Sequence, residues 1–190
     1  MYERFEAAVD RAVADGKIAG AVALTVDRSG PVYQHAAGLR QLGASAAMTT
    51  DTVFWIASMT KALVSIAALQ LVEAGKIGLD DDLGGVLPDL ADLQVLEGLD
   101  AEGKPKLRPA AAPVTLRHLL SHTSGFAYSF TSEPLLAFMQ ATGAADPNSG
   151  ARAALRTPLM FDPGQGFVYG IGIDWAGLVV EAVSGQRLDA

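Results

Sequence analysis

A mostly apolar run opens with Phe54-Trp-Ile-Ala-Ser58-Met-Thr-Lys61 and continues to Ala74, where Gly75 ends it. From Ser58 onward the run is apolar on every face, apart from a few polar residues and two charges. A helix that is hydrophobic all round belongs in the interior of a protein rather than on its surface. The sequence therefore predicts a central, buried helix with Ser58 at its N-terminus.

Ser58 and Lys61 are the first candidates for chemistry. Their spacing places the hydroxyl and the amine on one helical face, a single turn apart. The helix dipole and free N–H groups favour an alkoxide and the oxyanion formed when it attacks a carbonyl. The same dipole and the apolar surroundings disfavour a lysine cation, so we expect a Lys61 pKa below its reference of about 10.4, which suits a base. The alternative is that Ser58 is an N-cap and Lys61 extends to solvent.

The segment before this helix has the pattern of a helix followed by a β-hairpin. Apolar residues at helical spacing predict an amphipathic helix over residues 2–15. Two apolar stretches, 20–26 and 32–38, flank residues typical of a tight turn.

The segment after the central helix mixes loops and helices. Residues 97–113 collect glycines and prolines and predict a loop or insertion. Thr115 is placed to cap a helix over 116–122, and a short helix is expected over 134–142. Asp174 is placed to cap a final helix that ends at Gly185.

Four segments together resemble a known superfamily. The most specific is Val114-Thr-Leu-Arg-His-Leu-Leu-Ser-His-Thr-Ser-Gly125. The others are Phe54 to Lys61, Leu79-Asp-Asp-Asp-Leu83 with Leu87-Pro88, and Phe161-Asp-Pro-Gly164 with Tyr169 to Gly185. In this order they resemble the serine β-lactamase-like group, which holds class C β-lactamases, D,D-peptidases and family VIII carboxylesterases. S-x-x-K is the nucleophile motif of class A β-lactamases and penicillin-binding proteins.

The resemblance implies an α+β fold, an α/β sandwich with an antiparallel sheet, of the β-lactamase/penicillin-binding-protein type. It also implies that Ser58 is the nucleophile. Lys61 and Tyr169 would share the base and proton-shuttle work, through acylation and then deacylation by water. A phenol near a cationic amine loses its proton below its reference pKa of about 10. Tyr169 could instead be a core tyrosine near a turn, with its hydroxyl bonded to the backbone.

One departure from the family pattern bears on the substrate. In class C β-lactamases the tyrosine is followed two places later by an asparagine that helps to hold the lactam's amide side chain, and here that place is Ile171. The function expected is therefore a serine hydrolase that acts on carboxylic esters through an acyl-enzyme. An acyltransferase or a weak β-lactamase is the alternative within the superfamily. A catalytically silent binding or regulatory relative, or a fragment, is the alternative from another class.

The resemblance covers nearly all of the chain but only about the first half of the family's fold. We expect one incomplete domain over 1–190, with the N-terminal helix and first strands in 1–57, a helical region in 58–170 and a return helix in 171–190. The resemblance implies that the family's final strands, which carry a second oxyanion donor, are not part of these 190 residues. Three explanations are open: the polypeptide is truncated, a second chain completes the fold, or the fragment has another role. We expect this chain alone to hydrolyse esters poorly or not at all.

Composition excludes several classes. There are 14 Lys and Arg against 21 Asp and Glu, a net charge of −7, with no basic stripe, so nucleic-acid binding is disfavoured. The absence of cysteine removes disulfides and thiolate chemistry. No apolar run approaches the roughly 20 residues of a membrane span. With no readable export signal, a cytoplasmic location is expected.

His118 and His122 have the i, i+4 spacing of a metal pair. Position 119 is leucine, however, where the H-E-x-x-H motif needs glutamate. A structural role in the helix and its C-terminal turn is favoured. We therefore expect no metal and no cofactor, and the expected partner is a small-molecule ester, with a second chain as a further possibility.

Overall fold

A helix and a β-hairpin form the first of two units in the computed structural model, which describes residues 2–190. The units are Met1–Ile56 and Ala57–Ala190, and each is described by itself. In the first, α1 (Tyr2–Ala14) is followed by the antiparallel strands β1 (Gly20–Asp27) and β2 (Gly30–Gly38). The helix and hairpin predicted for this segment are confirmed.

Aromatic stacking packs α1 on its hairpin. The Tyr2 and Tyr33 rings stack with centroids 4.3 Å apart, and Phe5 meets Tyr33 edge-on at 6.3 Å. The turn between the strands uses Gly30, whose φ of +118° is open to glycine and unfavourable for other residues. The tight turn predicted between the two strands is therefore explained by the backbone conformation that glycine allows.

The second unit contains helices and a further hairpin. Its helices are α2 (Thr60–Glu73), α3 (Leu116–Leu120), α4 (Glu133–Thr142) and α5 (Gly172–Ser184), and its strands are β3 (Gln94–Leu99) and β4 (Pro105–Pro109). The β3–β4 hairpin lies inside the region predicted to be helical, 58–170. It also occupies most of the stretch predicted to be a loop, 97–113.

The prediction of a loop over 97–113 was wrong, because both prolines of β4 lie where they remove few hydrogen bonds between the strands. Pro105 and Pro109 are the first and last residues of the strand, where a missing N–H removes little of the ladder. Gly98, with a φ of +134°, stands where the β3–β4 register shifts. Glycine and proline here mark the ends and the irregularity of a hairpin rather than a loop.

Helix α2 packs on α5, and the two helices contribute to one hydrophobic core. Val64 and Ala68 of α2 are buried in that core. Leu63, Ile66 and Leu69, in contrast, are 60%, 55% and 45% exposed. The prediction of a helix buried on every side is therefore wrong for the described residues, because α5 covers one face of α2 and the opposite face stays exposed.

The caps of α3 and α5 differ from each other. Thr115 caps α3 as predicted, since its side chain accepts a hydrogen bond from the His118 N–H. In α5 the N-cap is Ile171, which offers no side-chain cap, and Asp174 lies within the first turn. The prediction that Asp174 caps the last helix was thus wrong, and its carboxylate is free for other contacts.

Across residues 2–190, none of the helices combines the length and the apolar character needed to cross a membrane.

Candidate active site

A strained backbone turn presents Ser58 at the start of α2. Ala57, Ser58 and Met59 form one turn of 3-10 helix directly before the α-helix. Ala57 has a φ of +45°, a left-handed conformation that residues with a Cβ rarely adopt. Ser58 itself is exposed. The hydroxyl therefore stands beside the positive end of α2, open to a substrate.

Lys61 lies one turn along and reaches Ser58. Its Nζ donates to Ser58 Oγ at 3.4 Å and to the Tyr128 hydroxyl at 3.2 Å. The same Nζ lies 5.0 Å from the centre of the Tyr169 ring and 5.4 Å from that of the Tyr128 ring. The ammonium group therefore sits among one hydroxyl and two phenols.

Tyr169 reaches the same serine from the segment that precedes α5. Its hydroxyl donates to Ser58 Oγ at 2.8 Å. The structure thus brings Ser58, Lys61 and Tyr169 together, although the tyrosine is far from the other two in sequence. Their catalytic roles remain predictions.

The Tyr169 segment is tied down by hydrogen bonds on both sides. Val168 N–H donates to the His122 carbonyl at 3.0 Å, and Gly170 N–H donates to His122 Nδ1 at 3.4 Å. Thr131 Oγ1 donates to the Tyr169 carbonyl at 2.8 Å. The His122 ring also lies against the Tyr169 ring, with centroids 4.7 Å apart.

Gly170 brings this segment close to the chain near Phe126. A Cβ at position 170 would overlap the Phe126 carbonyl and crowd the Ala127 backbone. A Cβ at Gly172 would lie 2.7 Å from the Leu119 carbonyl. Two glycines on either side of Ile171 therefore allow the close backbone approach that positions Tyr169.

The pKa of Lys61 lies above its ordinary value. Burial is the largest single effect and lowers this pKa, but hydrogen bonds to Tyr169 and Tyr128 and the attraction of their oxygens raise it by more in total. The prediction of a depressed Lys61 pKa was therefore wrong. The argument for Lys61 took account of desolvation and the helix dipole. The resemblance did place Tyr169 near the amine, but its effect on the Lys61 pKa was left out and Tyr128 was missed.

The pKa of Tyr169 is shifted in the opposite direction. The hydrogen bond that the Ser58 hydroxyl can donate to the ionised oxygen lowers this pKa most, burial partly opposes this, and the hydrogen bond and positive charge of Lys61 lower it further. The lowered pKa of Tyr169 and the raised pKa of Lys61 make a phenolate–ammonium pair less costly here than between the two free side chains. The expected easing of tyrosine ionisation by a cationic amine is therefore present.

Sequence reasoning missed Tyr128 and the site role of Asp174. Tyr128 is buried and contacts Lys61, and its hydroxyl donates to Asp174 Oδ2 at 3.5 Å. The available signal was position: Tyr128 follows three residues after Gly125, the end of the most specific motif.

The other candidates serve the fold. His118 Nδ1 accepts from the Thr115 N–H at 3.3 Å and completes a capping box. His122 has a φ of +57° at the turn after α3, and burial and the Lys61 charge lower its pKa. No group of three or more His, Cys, Asp or Glu residues in the described part of the chain could hold a metal ion. Ile171 is fully buried in the core.

Comparison with known proteins places this chain in a family. A family model described as Beta-lactamase matches residues 5–190. The protein belongs to the beta-lactamase family. Within it, the chain is 43% identical over 194 residues to Lovastatin esterase of Penicillium rubens, covering 99% of this chain and 47% of the relative. It is 40% identical over 197 residues to Acyltransferase mokF of Monascus pilosus, covering 100% of this chain and 48% of the relative.

Solved structures agree with this assignment. Simvastatin Synthase (LovD) from Aspergillus terreus superposes with a TM-score of 0.88 at 37% identity, over 98% of this chain and 48% of that one. The predicted α+β, β-lactamase/penicillin-binding-protein-like fold is thus confirmed. The beta-lactamase family member described here spans about half the length of the curated relatives it matches.

Proposed function

We propose that this chain carries the nucleophile side of a serine carboxylesterase that works through an acyl-enzyme. The observation that supports this most directly is the contact of one hydroxyl with both of its neighbours, because Ser58 Oγ lies 2.8 Å from the Tyr169 hydroxyl and 3.4 Å from Lys61 Nζ. A nucleophile and base within hydrogen-bond reach, held by a third group, is the arrangement that covalent catalysis requires.

In the proposed acylation step, Tyr169 acts as a phenolate and Lys61 as an ammonium. Ser58 Oγ attacks the ester carbonyl carbon while its proton passes to the Tyr169 oxygen. The tetrahedral oxyanion then collapses, the bond to the alcohol oxygen breaks, and Tyr169 returns the proton to that leaving alkoxide. The acyl group remains on Ser58, and Tyr169 is again a phenolate.

In deacylation the same groups work on a second nucleophile. Water, positioned near Tyr169, gives its proton to the phenolate and attacks the acyl carbon. When the bond to Ser58 Oγ breaks, Tyr169 returns the proton to the serine and the acid leaves. Lys61 stabilises the phenolate throughout without itself giving up a proton, because its pKa is raised.

A fluorophosphonate probe tests the proposal, since it reacts with an activated serine without any ester substrate. We expect covalent labelling at Ser58, located by peptide mass spectrometry, and no label in Ser58→Ala. Ser65→Ala is a matched control, because Ser65 lies on the same helix and its hydroxyl bonds to the Lys61 carbonyl. An intact, folded chain that takes no label would support a catalytically silent binding relative instead.

An acyltransferase is the second candidate, since one of the similar proteins named above is an acyltransferase. It would use the same acyl-enzyme and transfer the acyl group to an alcohol rather than to water. Adding alcohols at increasing concentration separates the two functions. Transfer requires an ester product that grows at the expense of free acid, whereas a hydrolase gives acid alone.

Ile171 offers no hydrogen bond to a lactam side chain, so a β-lactam should turn over more slowly than an ester.

We also propose that a further polypeptide segment, equivalent to the remaining half of the relatives' length, covers α2 in the active enzyme. An exposed apolar stripe along α2 and the turn before it supports this: Met59 of the turn and Leu63, Ile66 and Leu69 of α2 are each 45% exposed or more. We expect purified 190-residue chain to turn over p-nitrophenyl acetate poorly, and added complementary segment to raise the rate. Robust turnover by the chain alone would contradict this proposal.

A further inference from the structure

Two phenols contact Lys61, and they are not equivalent. Tyr128 is buried at 9% exposure and accepts from Lys61 Nζ at 3.2 Å, but it makes no hydrogen bond to Ser58. Tyr169 is half-buried and bonds to Ser58 Oγ at 2.8 Å. A mechanism that needs one phenolate beside Lys61 therefore needs a feature that selects Tyr169 over Tyr128.

Asp174 lies on the Tyr128 side of the ammonium. Its Oδ2 accepts a long hydrogen bond of 3.5 Å from the Tyr128 hydroxyl. Asp174, Lys61 and Arg152 are among the residues that line a cavity of about 420 Å³. Asp174 is exposed to solvent. A chain of contacts thus runs from the carboxylate of Asp174 through Tyr128 to Lys61.

We propose that Asp174 is a positioning residue that keeps Tyr128 as a neutral hydrogen-bond donor, so that Tyr169 is the phenol that ionises beside Lys61. This inference rests on the proposed function. Two negative charges at hydrogen-bond distance repel each other, so a phenolate at Tyr128 is disfavoured as long as Asp174 is ionised. With its proton directed at Asp174, Tyr128 turns its oxygen lone pairs to Lys61 and holds the ammonium in place.

The Asp174 charge is the largest charge effect on Tyr128 and the smallest of the effects on Tyr169. Burial and then the Asp174 charge raise the pKa of Tyr128, and the hydrogen bond from Lys61 opposes them only in part. Desolvation by the surrounding protein atoms raises the pKa of Asp174, and the Lys61 charge opposes this. Of the charged groups near Asp174, Lys61 acts directly on its pKa and Arg152 lines the same cavity, and the Asp174 charge raises the pKa of both phenols, Tyr128 and Tyr169.

The titration of individual tyrosines tests the inference without any activity. The chain has four tyrosines, so ring-carbon-labelled tyrosine gives four resonances that single Tyr→Phe variants assign. In Asp174→Asn we expect the Tyr128 resonance to titrate at lower pH than in the parent chain. The Tyr33 resonance, which belongs to the first unit, should not move, and an unchanged thermal midpoint verifies that the second unit of the variant is folded.

Two further variants complete the design. Glu181→Gln removes one negative charge about two turns along α5 and should leave the Tyr128 midpoint unchanged. Asp174→Glu keeps the negative charge, so its Tyr128 midpoint should stay nearer to that of the parent chain. This variant provides the test if Asp174→Asn does not fold. An unshifted Tyr128 midpoint in folded Asp174→Asn would overturn the inference. If Ser58 of the parent chain takes no fluorophosphonate label, the proposed function is overturned. The Tyr128 midpoints, which are measured without any activity, would not change.

Discussion

Tyr169 and Lys61 have pKa values displaced in opposite directions, and the pH dependence of Ser58 labelling follows from this. The pKa of Tyr169 is lowered mainly by its bond to Ser58, whereas that of Lys61 is raised on balance by its phenol partners. The phenolate–ammonium pair is therefore populated between the two values. We expect the labelling rate to rise with pH through the lowered Tyr169 pKa and to decline only above that of Lys61.

Replacing the phenol removes the proposed base altogether. For Tyr169→Phe we expect labelling to slow by about 10²–10⁴-fold, the usual contribution of a general base, and to lose its rise with pH. Tyr33→Phe is the control, since Tyr33 belongs to the first unit. If Tyr169→Phe kept the parent rate and profile, a neutral Lys61 amine would be the better candidate for the base.

At the level of elements, the position of the Tyr169 segment depends on a glycine. In Gly170→Ala the new methyl group would overlap the Phe126 carbonyl, so the segment must shift and the 2.8 Å contact with Ser58 opens. We expect labelling to fall by at least about tenfold, because small displacements of a base are costly. Gly85→Ala, where a Cβ meets no atom within 4 Å, should label normally.

The β3–β4 hairpin is joined to the segment that leads to Tyr169 by Arg108 and Asp162. The guanidinium donates to both Asp162 oxygens, at 2.9 and 2.7 Å, and these bonds together with the Ala111 N–H lower the pKa of Asp162 to about 2. Because the folded-state pKa is below the ordinary 3.8, the stabilisation is complete above the unfolded-state value and is lost as pH falls through about 2.

Asp162→Asn lacks this carboxylate at every pH. We therefore expect the thermal midpoints of parent and variant to differ most from pH about 5 upward and to converge toward pH about 2. Asp80→Asn is the comparison, because its pairing with Arg117 is more exposed and should contribute less. A difference that stayed constant across the acid range would argue against the Arg108 pairing.

The sequence predicted those elements whose signals are local. The helix over 2–15, the first hairpin and the Thr115 cap follow from spacing and turn residues. Local signals could not predict the neighbours of Lys61, since Tyr128 and Tyr169 approach it only through the packing of distant segments. The resemblance to the family predicted Tyr169, and Tyr128 was missed. The β3–β4 hairpin escaped because its prolines at the strand ends and Gly98 at the register shift have the composition of a loop.

At the level of the whole molecule, the exposed stripe of α2 should be dispensable for this chain and required for its completion. Ile66→Lys places a charge on a residue that is 55% exposed, so the free energy of unfolding should change by no more than about 0.5 kcal/mol. The same change should weaken reactivation by the complementary segment. Val64→Lys, on the buried face, should destabilise the chain itself. Equal reactivation of Ile66→Lys and parent would exclude the stripe as the contact surface.

The left-handed backbone at Ala57 sets which residues can precede Ser58. If every amino acid is placed at this position in turn, fluorophosphonate labelling of Ser58 should follow the energetic cost of a positive φ for that residue, rather than the size or polarity of its side chain. Glycine and asparagine should retain reactive Ser58, while valine, isoleucine and threonine should lose it, because branching at Cβ is least compatible with this conformation. The evolutionary freedom of the residue before the serine is therefore limited by main-chain geometry, even though its methyl group takes no part in the proposed chemistry.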